Sequence, residues 1–154
     1  MNPSANYSHS VTALLHVPAR IAFAFMSDPI ALGRWSLGCM DTRPTGSGDI
    51  FSGRSLFDGS EGFFRISADP ERLIVDYLLG PPERMVPRIS ARIVAAETCD
   101  LEPSQCYVTL TAWRGSKMDD ARWHRLCATH EAEILLIKAQ CEAAAMTLGS
   151  DAGA

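Results

Sequence analysis

The chain has 154 residues, 47% apolar and 21% charged, and its fourteen basic and eighteen acidic side chains leave a net charge of −4. That is enough for one domain with a substantial core, too apolar for a disordered segment, and free of any apolar run long enough to span a membrane. The negative balance offers no global attraction to nucleic acid or to an anionic membrane, so neither is an expected partner.

The first ten residues, MNPSANYSHS, have neither a basic start nor an apolar stretch of signal-peptide type. The expectation is a cytoplasmic protein, monomer or homodimer, with residues 1–8 as a loose tail. SVTALLHV then places Val11, Ala13, Leu15 and Val17 on one face, the period of a strand, which Pro18 stops. PARIAFAFMSD carries Ile21, Ala22, Phe25 and Met26 at helical spacing, Asp28 and Pro29 break that helix, and PIALGRW predicts a second short one.

After Trp35 the pattern changes to short alternating runs divided by turn residues, TGSGD, DGSE, ADPE, GPPE and CDLEPSQ. Strands are predicted near 37–43, 49–57, 62–67, 72–79, 86–96 and 105–114. In LIVDYLL, Leu73, Val75, Tyr77 and Leu79 share a face, and in RISARIVA, Ile89, Ala91 and Ile93 oppose Arg88, Ser90 and Arg92. By apolar content the phenylalanines of the middle strands point inward, and Arg54 and Arg65 outward. From MDD onward some twenty-five residues lack Gly and Pro, predicting one long helix that closes at Gly149 ahead of a loose tail at 148–154. Helices segregated from an antiparallel meander give an α+β fold in a single domain over residues 9–147.

The opening VPARIAFAFMSDPIALGRW resembles that of bacterial polyketide cyclase/dehydrase-like proteins within the START-like, or SRPBCC, superfamily. The residues that carry the resemblance are Val17-Pro18, Phe23, Phe25, Ser27-Asp28-Pro29 and Arg34-Trp35. The order of elements extends the likeness over about residues 9–146. It implies the Bet v 1-like helix grip: a seven-stranded curved antiparallel sheet, two short N-terminal helices, and one long C-terminal helix over an apolar cavity. It implies no reaction, because that superfamily includes carriers, receptors, cyclases and co-chaperones.

Along the last helix, Trp123, Cys127, His130, Ile134, Ile137, Cys141 and Ala144 recur at steps of four and three, a stripe suited to packing on the chain's own sheet. His124, Cys127 and His130 cannot converge on one ion, since residues three apart drift about 60° each. HEAEI is not HExxH, as Ile134 stands at the second histidine's place; no metal and no cofactor is expected. Cys39, Cys99, Cys106, Cys127 and Cys141 lack CxxC spacing and should be thiols, those on the helix buried and inert. TRPTGSGDIFSG lacks the GxGxxG spacing and reads as a hairpin turn in which Gly46 and Gly48 supply backbone freedom.

His130 admits two readings: a neutral core histidine bonded to a backbone carbonyl or strand hydroxyl, or a polar anchor able to act as general acid or base. Tyr77 is a second polar tip whose simpler reading is core packing. Trp35 sits where the family's cavity opens, as a gate or as ordinary packing, and Trp113 belongs to the outer face. The expected wall of the cavity is Trp35, Phe51, Phe57, Phe64, Tyr77, Leu79, Ile89, Ala91 and Leu110 on one side, with Cys127, His130 and Ile134 on the helix. The leading expectation is a protein that binds a hydrophobic small molecule, lipid or polyketide-like. The alternatives are a cyclase/dehydratase-like enzyme using His130 or Tyr77, supported by a convergent polar pair in the cavity, and a co-chaperone-like interaction domain with a small or filled one.

Overall fold

A computed structural model describes residues 6–152, with side chains as far as Gly149; residues 1–5 and 153–154, parts of the two expected tails, lie outside it. The chain runs β1 (Ser8–Leu15), α1 (Ala19–Met26), α2 (Pro29–Trp35), β2 (Met40–Pro44), β3 (Phe51–Arg54), β4 (Glu61–Asp69), β5 (Ile74–Leu79), β6 (Val86–Val94), β7 (Cys106–Trp113) and α3 (Asp120–Ala152). All seven strands form one antiparallel sheet in the order β1-β7-β6-β5-β4-β3-β2. The meander runs in sequence from β2 to β7, and β1 returns to pair with β7. This is the α+β helix grip that the resemblance implies.

Local chemistry sets the elements. Pro29 occupies the start of α2, and the Asp28 carboxylate caps it by accepting from the Ile30 amide at 2.9 Å. Gly33 lets α2 lie against β2, because a side-chain carbon there would collide with Thr42, whose hydroxyl donates to the Pro29 carbonyl at 2.6 Å. The expected glycine turn exists: Gly46 and Gly48 have φ of 84° and 57° between β2 and β3.

The sheet separates two chemistries by alternation. On β7, Cys106, Val108, Leu110 and Ala112 are wholly buried, while outward Thr109 and Thr111 meet Thr12 and Ser10 of β1 through hydroxyl pairs at 2.8 Å. Phe51 and Phe64 face each other across β3 and β4 with ring centroids 5.8 Å apart. Arg54 is exposed and Arg65 sits 4.0 Å from Asp49, so both arginines point outward. Trp113 is 47% exposed on the outer face.

Three boundaries differ from the predicted ones. Residues 36–39 form a turn continuing α2, with the Cys39 amide bonded to the Ser36 carbonyl at 3.1 Å, so β2 begins only at Met40. The strand expected over 49–57 stops at Arg54, because residues 55–60 close a turn in which Asp58 accepts from the Ser60 amide and hydroxyl at 2.9 and 2.6 Å. At the other end α3 passes through Gly149 to Ala152 instead of closing there; a lone glycine weakens a helix by only about 1 kcal/mol.

The core lies between α3 and the inner face of the sheet. Ile134, Ile137 and Cys141 cluster with Leu15, Val17, Cys106, Val108 and Leu110, and α1 adds Ala22 and Met26. Burial of a residue such as Ile137 contributes about 1.5–3 kcal/mol. A polar clasp fixes this end of the helix: Lys138 Nζ donates to Glu142 at 2.7 Å and to the Leu14 carbonyl, while Glu142 accepts from the His16 amide at 2.9 Å. Ala144, predicted on the covered stripe, is exposed, and Ala145 packs in its place. All five cysteines are free.

Candidate functional site

Near its N-terminus α3 packs on β7 through Trp123 and Ala112, and beside that contact a gap opens between helix and sheet. Leu126, Thr129, His130 and Glu133 face Leu79 of β5 and Ile89 of β6 across a gap of about 460 Å³. Its rim is built from Ser36, Gly38 and Cys39 after α2, from Ser55, Phe57, Asp58 and Ser60 in the turn after β3, and from Arg122 and Arg125 on α3. A chamber of about 40 Å³ lies further in, walled by Leu32, Trp35, Tyr77 and Leu110. It shares Ser36, Cys39, Leu79, Ile89, His130 and Glu133 with the larger space and so forms its deep end. A separate recess of about 490 Å³ at Asn6, Tyr7, Arg114, Gly115, Ser116 and Asp120 has no buried apolar wall and is a surface groove.

Two ionisable side chains hang into the gap from one face of α3. Glu133 is 3% exposed and His130 is 4% exposed, and at i,i+3 their Oε1 and Nε2 atoms stand 3.8 Å apart. Burial pushes the Glu133 carboxyl up to about 7, against the pull of bonds from the Leu37 amide, at 2.9 Å, and from Ser36. Burial and, second, the nearby His9 hold His130 down to about 4. Near neutrality the imidazole is therefore uncharged and the carboxyl is close to its midpoint, so no fixed ion pair forms. The 3.8 Å separation is also too long for a direct hydrogen bond.

Unused polar atoms mark the same place. His130 Nδ1 and Trp35 Nε1 are both buried without a hydrogen-bond partner. This departs from the simpler reading of His130, in which a backbone carbonyl or strand hydroxyl would satisfy it. A buried donor left unmade costs about 1–3 kcal/mol, and native interiors retain few of them.

Tyr77 is tied up elsewhere. Its hydroxyl donates to the Met26 carbonyl at 2.6 Å, locking β5 to α1, and its ring meets Trp35 edge-on at 5.9 Å. Burial, then the Glu133 charge, pushes the hydroxyl well above the usual tyrosine range, so it keeps its proton. Burial also pushes the Cys39 thiol up to about 11 and the Cys141 thiol up to about 12, which leaves neither as a nucleophile at neutral pH.

Of the wall expected from sequence, Phe57, Leu79, Ile89 and His130 border the gap, and Trp35, Tyr77 and Leu110 border its deep end. Phe57 is 47% exposed and stands on the rim instead of on an inward strand face, with Arg125 over its ring at 5.2 Å. Trp35 is buried within the core and does not stand free at the entrance. Phe64, Ala91 and Ile134 are closed into the main core with Phe51 packed against it, and Cys127 packs on the smaller cluster of Ala112, Met118 and Trp123. None of these five borders the space.

Sequence reasoning missed Glu133. Its signal was available: three residues after His130 places it on the histidine's own face, whereas Glu131 falls about 100° away. Asp58, Ser36, Arg122 and Arg125 reach the site from turns and a helix start, where alternation gives no inward direction. Among the described residues no three His, Cys, Asp or Glu side chains cluster as a metal site requires, and no helix is long and apolar enough to cross a membrane.

No protein-family model matches the sequence, and no curated protein matches it. Solved structures do match in shape. The Zhui aromatase/cyclase from a Streptomyces species is 14% identical, with a TM-score of 0.61 over 88% of this chain and 93% of that one. The Aha1 dimer from Colwellia psychrerythraea is 16% identical, with a TM-score of 0.63 over 88% and 96%. A START superfamily protein from Mycobacterium smegmatis is 13% identical, with a TM-score of 0.58 over 92% and 99%. At such identities the likeness is one of fold, and the fold is the START-like, Bet v 1-like helix grip.

Proposed function

We propose that this protein binds a hydrophobic small molecule, lipid or polyketide-like, in the gap between α3 and the sheet, acting in the cytoplasm as a monomer or homodimer. The observation that carries the reading is a space of about 460 Å³ with an apolar deep end. Affinity would come chiefly from burying the ligand's carbon surface on Leu79, Ile89 and Leu126, at about 25 cal/mol per Å² before the cost of association. His130, Glu133 and Trp35 would orient any oxygen the ligand carries.

The test is native mass spectrometry of the protein purified from its own host. A retained small molecule is expected, and Leu79→Trp, which fills the gap, should lose it. A protein that carries nothing and takes up no apolar probe would overturn the reading.

A second reading, a cyclase/dehydratase-like enzyme, has one observation in its favour: the convergent pair of His130 and Glu133, one neutral and one near its midpoint at pH 7. Tyr77, with its proton held by the Met26 carbonyl, is the weaker candidate. Incubation with a linear poly-β-ketone should then give ring-closed product that Glu133→Gln and His130→Leu each abolish. Equal product from both variants would remove the enzyme reading and leave the binding one intact.

A further inference from the structure

The rim of the gap carries a net positive charge, Arg122 and Arg125 against Asp58, whose carboxylate is held down by bonds from Ser60 and in smaller part by the Arg125 charge. Arg122 and Arg125, one turn apart on α3, both border the opening, and among the described residues neither guanidinium has an acid within ion-pair distance. Of the neighbouring acids, Asp120 pairs with Arg114 at 2.6 Å and Asp119 accepts from the Arg122 backbone amide at 2.7 Å, while Asp58, which accepts from the Ser60 amide and hydroxyl, offsets part of the Arg125 charge and leaves Arg122 in excess. Half-buried Arg88 adds to the surplus: burial and then the charge of Arg122 hold it below the usual guanidinium range.

The deep end has the opposite preference. There Glu133 is already disfavoured as an anion by its own burial, and a second negative charge beside it would be repelled with no cation near to answer it. The polarity of the gap is therefore one-way, with cations outside, carbon in the middle and a protonatable carboxyl within.

The geometry points to an amphipathic carboxylate as the ligand class, its apolar body on Leu79, Ile89 and Leu126 and its anionic head at Arg122 and Arg125. This assignment rests on the gap being the ligand site. Guanidinium recognises carboxylate through paired charge-assisted hydrogen bonds, and rim exposure weakens that term without abolishing it.

The experiment uses two acid and ester pairs at pH 7: cis-parinaric acid with its methyl ester, and 6-methoxy-2-naphthoic acid with its methyl ester, both followed by fluorescence. For the body that fits, aliphatic or fused aromatic, the acid should bind about tenfold tighter than its ester. The double variant Arg122→Gln/Arg125→Gln should bring that ratio near one while leaving the ester's affinity in place, and Leu79→Trp should abolish both. Equal binding of acid and ester, or a preference that survives the double variant, overturns the carboxylate assignment while leaving the binding reading standing. If no acid and no ester binds, or if binding survives Leu79→Trp, the gap is not the site and both proposals fall.

Discussion

Along the later turns of α3, Ile134, Ile137 and Cys141 form one buried cluster with Leu15, Cys106 and Val108, whereas earlier on the same helix Leu126, Thr129, His130 and Glu133 stand across about 460 Å³ from Leu79 and Ile89. The helix and the sheet are the same in both places. At the closed end apolar side chains interdigitate and Lys138 and Glu142 fasten the helix to the end of β1. At the open end a threonine and two ionisable groups take the inward positions, and loops instead of strands complete the wall. Close packing and open space are thus placed on successive turns of one helix.

The sharpest way to break that contrast is to open the closed end. Ile137→Ala should cost about 4 kcal/mol in chemical denaturation, because a fully buried β-branched residue leaves a cavity its neighbours cannot fill, and cis-parinaric acid binding by the surviving folded protein should be unchanged. A loss under about 1 kcal/mol would show that this half is not the tightly packed one.

Acid dependence sharpens the open end, where the two buried groups pull in opposite directions. Glu133 titrates near 7 folded against 4.5 as reference, so the folded state holds the extra proton and stability falls as pH rises between those values. His130 titrates near 4 folded against 6.5, so the unfolded state holds the extra proton and stability rises with pH between those values. Each effect is worth about 3 kcal/mol, and where the windows overlap they nearly cancel. Glu133→Gln should uncover the rise, and His130→Leu the fall, in urea melts taken across that range. Two difference curves of the same sign would contradict the assigned pair.

Smaller effects follow from removing single hydroxyls. Tyr77→Phe should cost about 1–2 kcal/mol through loss of the bond to the Met26 carbonyl, with ligand affinity unmoved; a changed affinity would return the hydroxyl to the site. On the outer sheet face, Thr12→Val removes one exposed hydroxyl pair and should shift stability by no more than about 0.5 kcal/mol in the same melts.

Most of the fold was legible because alternation and breakers act locally. The inward faces of β5, β6 and β7 read correctly from Val75, Tyr77, Ile89, Ala91 and Leu110, and the opening around Asp28 and Pro29 gave both short helices. The site was legible only in part. Its wall is defined by where packing stops, which depends on helix and sheet meeting at a distance that no local pattern encodes. Phe64 and Ile134 have the chemistry of a cavity wall and are core, while Phe57 reaches the rim because Asp58 and Ser60 turn the chain. Glu133 was lost among the helix's solvated acids, since its partners, the Leu37 amide and Ser36, lie about a hundred residues earlier in the chain.

The hydroxyl pair of Ser10 and Thr111 joins residues 101 apart in the chain, and among the described strands β7 alone neighbours β1 in the sheet. During synthesis β1 therefore has no sheet neighbour until β7, about a hundred residues later, has been made. Closing so long a loop is slow, and until then β7 presents an unpaired edge. In pulse-labelled refolding the amides of β1 should gain protection after those of β4, β5 and β6, which pair through short turns. The grip on α3 would then be the last event of folding, completed when β1 docks.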